Sequence, residues 1–348
     1  MSVVRERQAN FELLRILAML GVLVSHIFNY GLHIYENDGP DFTVDTSSAG
    51  GFTLWSLLQL IKLVALVSVN CYVLISGYFL AGGVQLRWRG IWRVWSTTWI
   101  YSMFFYLLFV VLGQDSLSWQ ALFVNATPLL HNTFWFVTSY LALILMSPLL
   151  SYVSCRLNHW QYMVLLTAGF VCCFQFLLGN YLMSEQQILL FVYLYFIGGY
   201  ISKFHAESKG NISVLMACFI GMLGMMYAIT VYKNIIRGDA AWLVFGMAYN
   251  GLVLPLSVLV FLLFRRMSIT QRFAGAVCAV APLSFAVYVI HTQPNVHVWL
   301  WSLLTEWFYA VPQWTLPVFC LLTAVSVFII CVIIEKGRRS IQIKIGKS

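Results

Sequence analysis

The chain has 348 residues, of which 61% are hydrophobic and only 9% charged, and its mean hydropathy is +0.83. A soluble globular protein carries roughly 25% charged residues, so this composition excludes a soluble enzyme, a disordered chain, a coiled coil and a secreted disulfide scaffold. The formal net charge of +8 does not imply a nucleic-acid partner, and none is expected, because basic residues also sort to one face of a membrane.

A membrane-spanning helix needs about 20 mainly apolar residues, and the hydropathy pattern predicts ten of them. The first covers about 11–33 and is long enough to stay as a helix. It lacks a small-x-small exit site, so no cleavable signal peptide is expected. A long acidic connector, about 34–53 and rich in Gly, Ser and Thr, leads to the second span at about 54–81. That span holds Lys62, expected to snorkel to the outer interface, and Asn70, expected to join helices by hydrogen bonding. Spans at about 94–112, 134–154, 160–178 and 187–203 follow, the last with Gly198-Gly199 for close packing. Beyond 212–231, the span at 240–264 contains Pro255, expected to kink or open the helix. The ninth, 276–293, is interrupted by Pro282 and ended by Pro294. A Trp-rich outer loop with Trp299, Trp301, Trp307 and Trp314 precedes the tenth, 314–334. Alternating ten-residue segments of a β-barrel are missing. The predicted fold is an all-α polytopic helical bundle forming a single membrane domain.

Charge placement sets the expected orientation. With the N-terminus in the cytoplasm, 16 of the 20 Lys and Arg residues fall in inner segments, among them Arg87, Arg89, Arg93, Arg338 and Arg339. Only Lys233 and Arg237 fall in outer loops, whereas eight of the 12 acids, including Glu36, Asp45 and Glu306, do so. This is the positive-inside pattern; it places both termini in the cytoplasm and requires an even number of spans. The eight Cys residues lie in spans or at the inner face, so disulfides are not expected. No Cys/His spacing points to a metal, and no glycine-rich nucleotide loop is present.

Ionisable groups inside a membrane are costly and mark function by default. Arg15 and His26 are eleven residues apart on the first span. At about 100° and 1.5 Å per residue, that spacing rotates only ~20° and rises ~16 Å. Both therefore share one helix face, Arg15 near the inner surface and His26 near mid-membrane, with His33 expected on the same face further out. Each has a bland reading, a snorkelling arginine or a packed histidine. Aligned together, they read as a path from the cytoplasm to the membrane centre.

Arg15-x10-His26 is similar to the signature of the membrane-bound acyltransferase-3 family. Leu74-Ile75-Ser76-Gly77-Tyr78-Phe79-Leu80 resembles that family's second helix, and Arg87-Trp88-Arg89 through Arg93 its basic inner loop. Phe134-Trp135-Phe136-Val137 with Ser147-Pro148-Leu149-Leu150 resembles the mid-chain helix, and Leu283 through His291 the late Ser…Tyr…His segment. The resemblance implies an O-acyltransferase that moves an acetyl group from cytoplasmic acetyl-CoA, or another acyl-CoA, to a bacterial envelope polysaccharide or a lipid-linked glycan. Acyl-CoA enters as co-substrate, with no tightly bound cofactor and no metal. The site implied combines Arg15, Arg89 and Arg93 on the CoA phosphates with His26 as general base or as transient acyl carrier. His33, Trp135, Tyr140, Tyr288 and His291 are candidate acceptor contacts. Many family members carry a Glu where this chain has Tyr140, leaving Glu12, Glu36 and Glu306 as candidate helper carboxylates. No fused soluble domain is expected. A secondary transporter, or a glycan polymerase or flippase, would also suit the composition; paired inverted repeats are not evident, and neither alternative requires the ordered motif set.

Overall fold

A computed structural model describes residues 8–33, 44–173, 187–205, 211–236 and 251–345. Arg5, Arg7, Glu36, Asp38, Asp41, Glu185, Lys209, Arg237, Asp239 and Lys347 lie outside the described residues, as do parts of the predicted fifth and eighth spans. The described chain is helical throughout and contains no strand. In order, the helices are α1 (Ala9–His26), α2 (Ala49–Ala65), α3 (Ser68–Leu80), α4 (Trp88–Val111), α5 (Trp119–Ala126), α6 (Trp135–Arg156) and α7 (His159–Cys173). They continue with α8 (Gln187–Phe204), α9 (Ile212–Val231), α10 (Val253–Arg266), α11 (Gln271–Val280), α12 (Ser284–Thr292), α13 (Pro294–Ala310) and α14 (Leu316–Ile345).

Eight helical stretches among the described residues are long and apolar enough to cross a membrane. The predicted second span runs through α2 and α3, which form one such stretch, Ala49–Leu80, with a turn at 66–67. The ninth is α11 and α12 joined by a 3-10 turn at Ala281–Leu283, where Pro282 interrupts the α-helix. The protein is a polytopic helical membrane protein.

The chain divides into two compact units. The first comprises Met1–Ser68, Leu223–Val244 and Leu263–Ser348; the second comprises Val69–Met222 and Phe245–Leu262. In the first unit α1 is the central helix, packed against α2, α11, α12 and α14. Its side chains Phe11, Leu14, Met19 and Leu23 are buried, as are Ile27 and Phe28 in the turn that follows it. Where α1 begins, Asn10 Nδ2 donates to the carbonyls of Phe264 and Arg265, at 3.1 Å each. These carbonyls close α10 and would otherwise lack intrahelical partners.

The second unit explains two of the motifs physically. Pro148 lies inside α6, where its missing N–H and its ring free the carbonyl four residues back. Ser147 Oγ donates to that carbonyl, Ile144 O, at 2.7 Å, so the Ser-Pro pair repairs its own helix. At the crossing of α3 and α8, a Cβ on Gly77 would meet Tyr195 O at 2.5 Å, and one on Gly198 would meet Leu74 O at 2.5 Å. Backbone touches backbone there, the small-residue contact by which membrane helices approach closely. Gly198→Val is expected to force the helices apart and to destabilise the protein by about 1–3 kcal/mol. An unchanged thermal midpoint in detergent would contradict that contact. Asn70 joins helices as expected, its Nδ2 donating to Ser257 Oγ at 3.0 Å.

Four expectations are corrected. Lys62 does not snorkel: it is 3% exposed, buried within the protein. Pro255 stands in the first turn of α10 rather than in its interior, where its missing N–H has no helical partner to lose, so it neither kinks nor opens the described helix. The Trp-rich outer loop is largely the helix α13, which carries Trp299, Trp301 and Trp307, with Trp314 in the 3-10 turn that follows. Pro294 both ends α12 and occupies the first position of α13, a site its fixed φ suits; Gln293 Oε1 caps that start by accepting from Val296 N at 3.0 Å. Finally, α-helical register does not continue to His33, since Ile27–Gly31 form a π-helical turn and His33 has φ +49°.

Candidate active site

His26 is the last residue of α1, and the π-helical turn begins directly after it. Such turns are rare and occur frequently at functional sites. This one sets Tyr30 edge-on to His26, with ring centroids 5.3 Å apart. Gly31 lets α13 pack on the turn, because a Cβ there would lie 2.8 Å from the Phe308 ring. His26 itself is half-buried.

The helix α12 supplies the partner. His291 is fully buried (0% exposed), and its Nε2 lies 2.9 Å from His26 Nδ1. The other nitrogen, His291 Nδ1, is 2.5 Å from the carbonyl of Val287, one helical turn earlier. Tyr288 stands edge-on to His291 at 6.0 Å between centroids, on the same face of α12.

The third wall is α13. Trp301, 3% exposed, has its ring 6.4 Å from His26 and 6.5 Å from His291. His297, one turn before it, stands 4.5 Å from the Tyr30 ring. The Trp301 indole nitrogen is buried with no hydrogen-bond partner among the described residues. A buried donor left unpaired costs about 1–3 kcal/mol. The cluster combines a basic nitrogen with a hydrogen-bond donor in an apolar setting, the requirements of proton transfer at a reacting hydroxyl.

The expected site residues separate into groups. His26, His291 and Tyr288 meet in the first unit. Arg15 is on α1 with His26, one continuous helix carrying both ends of the eleven-residue spacing. Its Nη1 donates to Glu12 at 2.7 Å, so part of the guanidinium is already engaged. His33 Nε2 lies 3.4 Å from Thr305 Oγ1, beyond the helical part of the chain. Arg89 and Arg93 are exposed, one turn apart at the start of α4 in the second unit. Trp135 and Tyr140 also belong to the second unit. The Tyr140 hydroxyl lies 3.1 Å from Ser76 Oγ and its ring stacks on Phe136; Trp135 packs against Phe136 and Phe191.

Of the candidate helper carboxylates, Glu12 is paired with Arg15, Glu306 is exposed and Glu36 lies outside the described residues. Among the described residues, no carboxylate hydrogen-bonds His26, and no group of three His, Cys, Asp or Glu side chains is arranged to hold a metal ion. Sequence reasoning missed Tyr30 and His297, and it placed Trp301 in an outer loop rather than beside His26. The i, i+4 spacing of His26 with Tyr30 and of His297 with Trp301 is the signal that was available, once α13 is recognised as a helix.

No curated protein and no solved structure matches the chain. A family model described as an acyltransferase domain matches residues 8–336, nearly the full length. Both motif histidines fall within the match, and the chain belongs to the acyltransferase-3 family.

Proposed function

We propose that this membrane acyltransferase is an O-acetyltransferase of the bacterial cytoplasmic membrane, carrying acetyl from cytoplasmic acetyl-CoA to a hydroxyl of an envelope polysaccharide or its lipid-linked precursor. The observation that carries the reading is the half-buried His26, hydrogen-bonded on one ring nitrogen to His291 and enclosed by Tyr30 and Trp301. A general base needs one nitrogen held and the other left to take a proton, and Nδ1 of His26 is the held one. In the step, its Nε2 takes the proton of the acceptor hydroxyl as that oxygen attacks the thioester carbonyl. The C–S bond breaks, and the CoA thiolate leaves with the proton returned from His26. The Trp301 N–H is suited to the carbonyl oxygen as negative charge develops on it.

Donor binding falls to the arginines of the charge-rich segments. Arg89 and Arg93 present two guanidinium groups on one exposed face, a spacing suited to bidentate bonds with phosphate. Arg15 keeps donor capacity beyond its bond to Glu12. Arg89→Ala is expected to raise KM for acetyl-CoA about tenfold, the loss of one charged hydrogen bond, and to leave kcat nearly unchanged. Initial rates at varied acetyl-CoA check this; an unchanged KM removes Arg89 from the donor site.

The function is tested by mass spectrometry of envelope glycans from cells with and without the gene. The expected difference is the loss of a base-labile acetyl increment at constant chain length. Shortened chains would support a polymerase instead, and unchanged glycans would overturn the polysaccharide assignment.

A further inference from the structure

We propose that His291 is a positioning residue that fixes the tautomer of His26, leaving the lone pair on His26 Nε2. The inference rests on the acetyl-transfer reading for its use, but the hydrogen bonds that carry it are independent of substrate.

The argument runs outward from the backbone. A carbonyl oxygen only accepts, so the 2.5 Å contact between His291 Nδ1 and Val287 O requires the proton on Nδ1. A neutral imidazole carries one ring proton, which leaves His291 Nε2 as an acceptor. That nitrogen lies 2.9 Å from His26 Nδ1. A gap of this length holds one hydrogen, and it must come from His26. The Nδ1 proton of His26 is thus committed to His291, and its Nε2 is the basic nitrogen.

Protonating His291 instead would place a cation in a fully buried position. No carboxylate is hydrogen-bonded to it among the described residues, and an unpaired buried charge is strongly unfavourable. The chain Val287 O, His291, His26 therefore has one low-energy proton arrangement. Its first link is a backbone carbonyl one helical turn before His291, so the arrangement is built into α12. When His26 takes up the substrate proton, its Nδ1–H bond to His291 becomes charge-assisted and strengthens. His291 thereby does the orienting that a helper carboxylate would otherwise perform, without adding a second charge.

The test has two arms. In the first, the full-length protein carrying 15N-histidine is placed in lipid nanodiscs without substrate, and ring nitrogen resonances are assigned with His26→Gln and His291→Gln as references. The expected result is a protonated Nδ1 and an unprotonated Nε2 on His26; the reverse assignment overturns the proposal, whatever the substrate proves to be. In the second, acetyl transfer is measured for His291→Phe, which keeps an aromatic ring but has no acceptor, and His291→Gln, which restores an acceptor oxygen near Nε2. The Phe variant is expected to lose about a hundredfold in kcat, the low end of a general-base contribution, with KM for acetyl-CoA unchanged. The Gln variant is expected to recover about tenfold of that loss; equal rates for the two variants overturn the positioning role. Absence of acetyl transfer in the unmodified protein would count against the proposed function and leave the resonance result to decide the tautomer.

Discussion

His26→Ala is expected to lower acetyl transfer on the order of a thousandfold, within the range of a lost general base, while the protein stays folded in the membrane. The two halves of that expectation have separate causes. His26 is half-buried at the end of α1, and the side chains that hold the helix in place are its neighbours Leu23, Ile27 and Phe28. Removing the imidazole therefore takes away the proposed base and one 2.9 Å hydrogen bond rather than core packing. His291 loses its partner but keeps its bond to Val287. The check is acetyl transfer from labelled acetyl-CoA in proteoliposomes, with thermal unfolding measured in parallel. Activity within tenfold of the unmodified protein would remove His26 from the chemistry. A collapse of the thermal midpoint would assign it a structural part instead.

The reach of the sequence differed between local and distant relations. Arg15 and His26 share one uninterrupted helix, so eleven residues of spacing sufficed to align them. Asn70 and the Gly198 crossing were legible for a related reason. A polar amide or a run of small residues in an apolar helix has few uses besides contact with a neighbouring helix. The pairing of His26 with His291 was not legible, because 265 residues separate them and hydropathy carries no information about which helices meet. The helix α13 was hidden by Pro294, which ends one helix and starts another, two uses a sequence writes with the same letter. His33 was misplaced by seven-residue periodicity carried through a turn that is not α-helical. Lys62 was expected to snorkel to the interface, as a long basic side chain in a span does, and only the surrounding helices determine that it is buried.

Glu335→Ala is expected to destabilise the protein and to weaken acetyl transfer from a distance. Glu335 is fully buried (0% exposed) near the end of α14. Its carboxylate accepts from Arg338 Nε and Nη2 at 2.8 Å each and from Arg339 Nε at 2.6 Å. Arg339 Nη2 in turn donates to Pro282 O at 2.7 Å. Pro282 belongs to the 3-10 turn from which α12 starts, so the anion holds the guanidinium that holds the base of the His291 helix. Removing the carboxylate leaves two arginines without their counter-ion in a partly buried place. Breaking a fully buried pair costs about 3–5 kcal/mol; partial exposure of both arginines screens their charge, which reduces the expected cost to roughly 2 kcal/mol. Glu335→Gln retains an acceptor oxygen and should fall between the two. Arg339→Ala removes the Pro282 link but leaves Glu335 paired with Arg338, so it should lower kcat more than it lowers the thermal midpoint. Calorimetric unfolding and steady-state rates on the three variants separate these effects. Equal thermal midpoints for Glu335→Ala and the unmodified protein would show that the ion pair does not secure α14. An unchanged kcat in Arg339→Ala would show that the start of α12 is held without it.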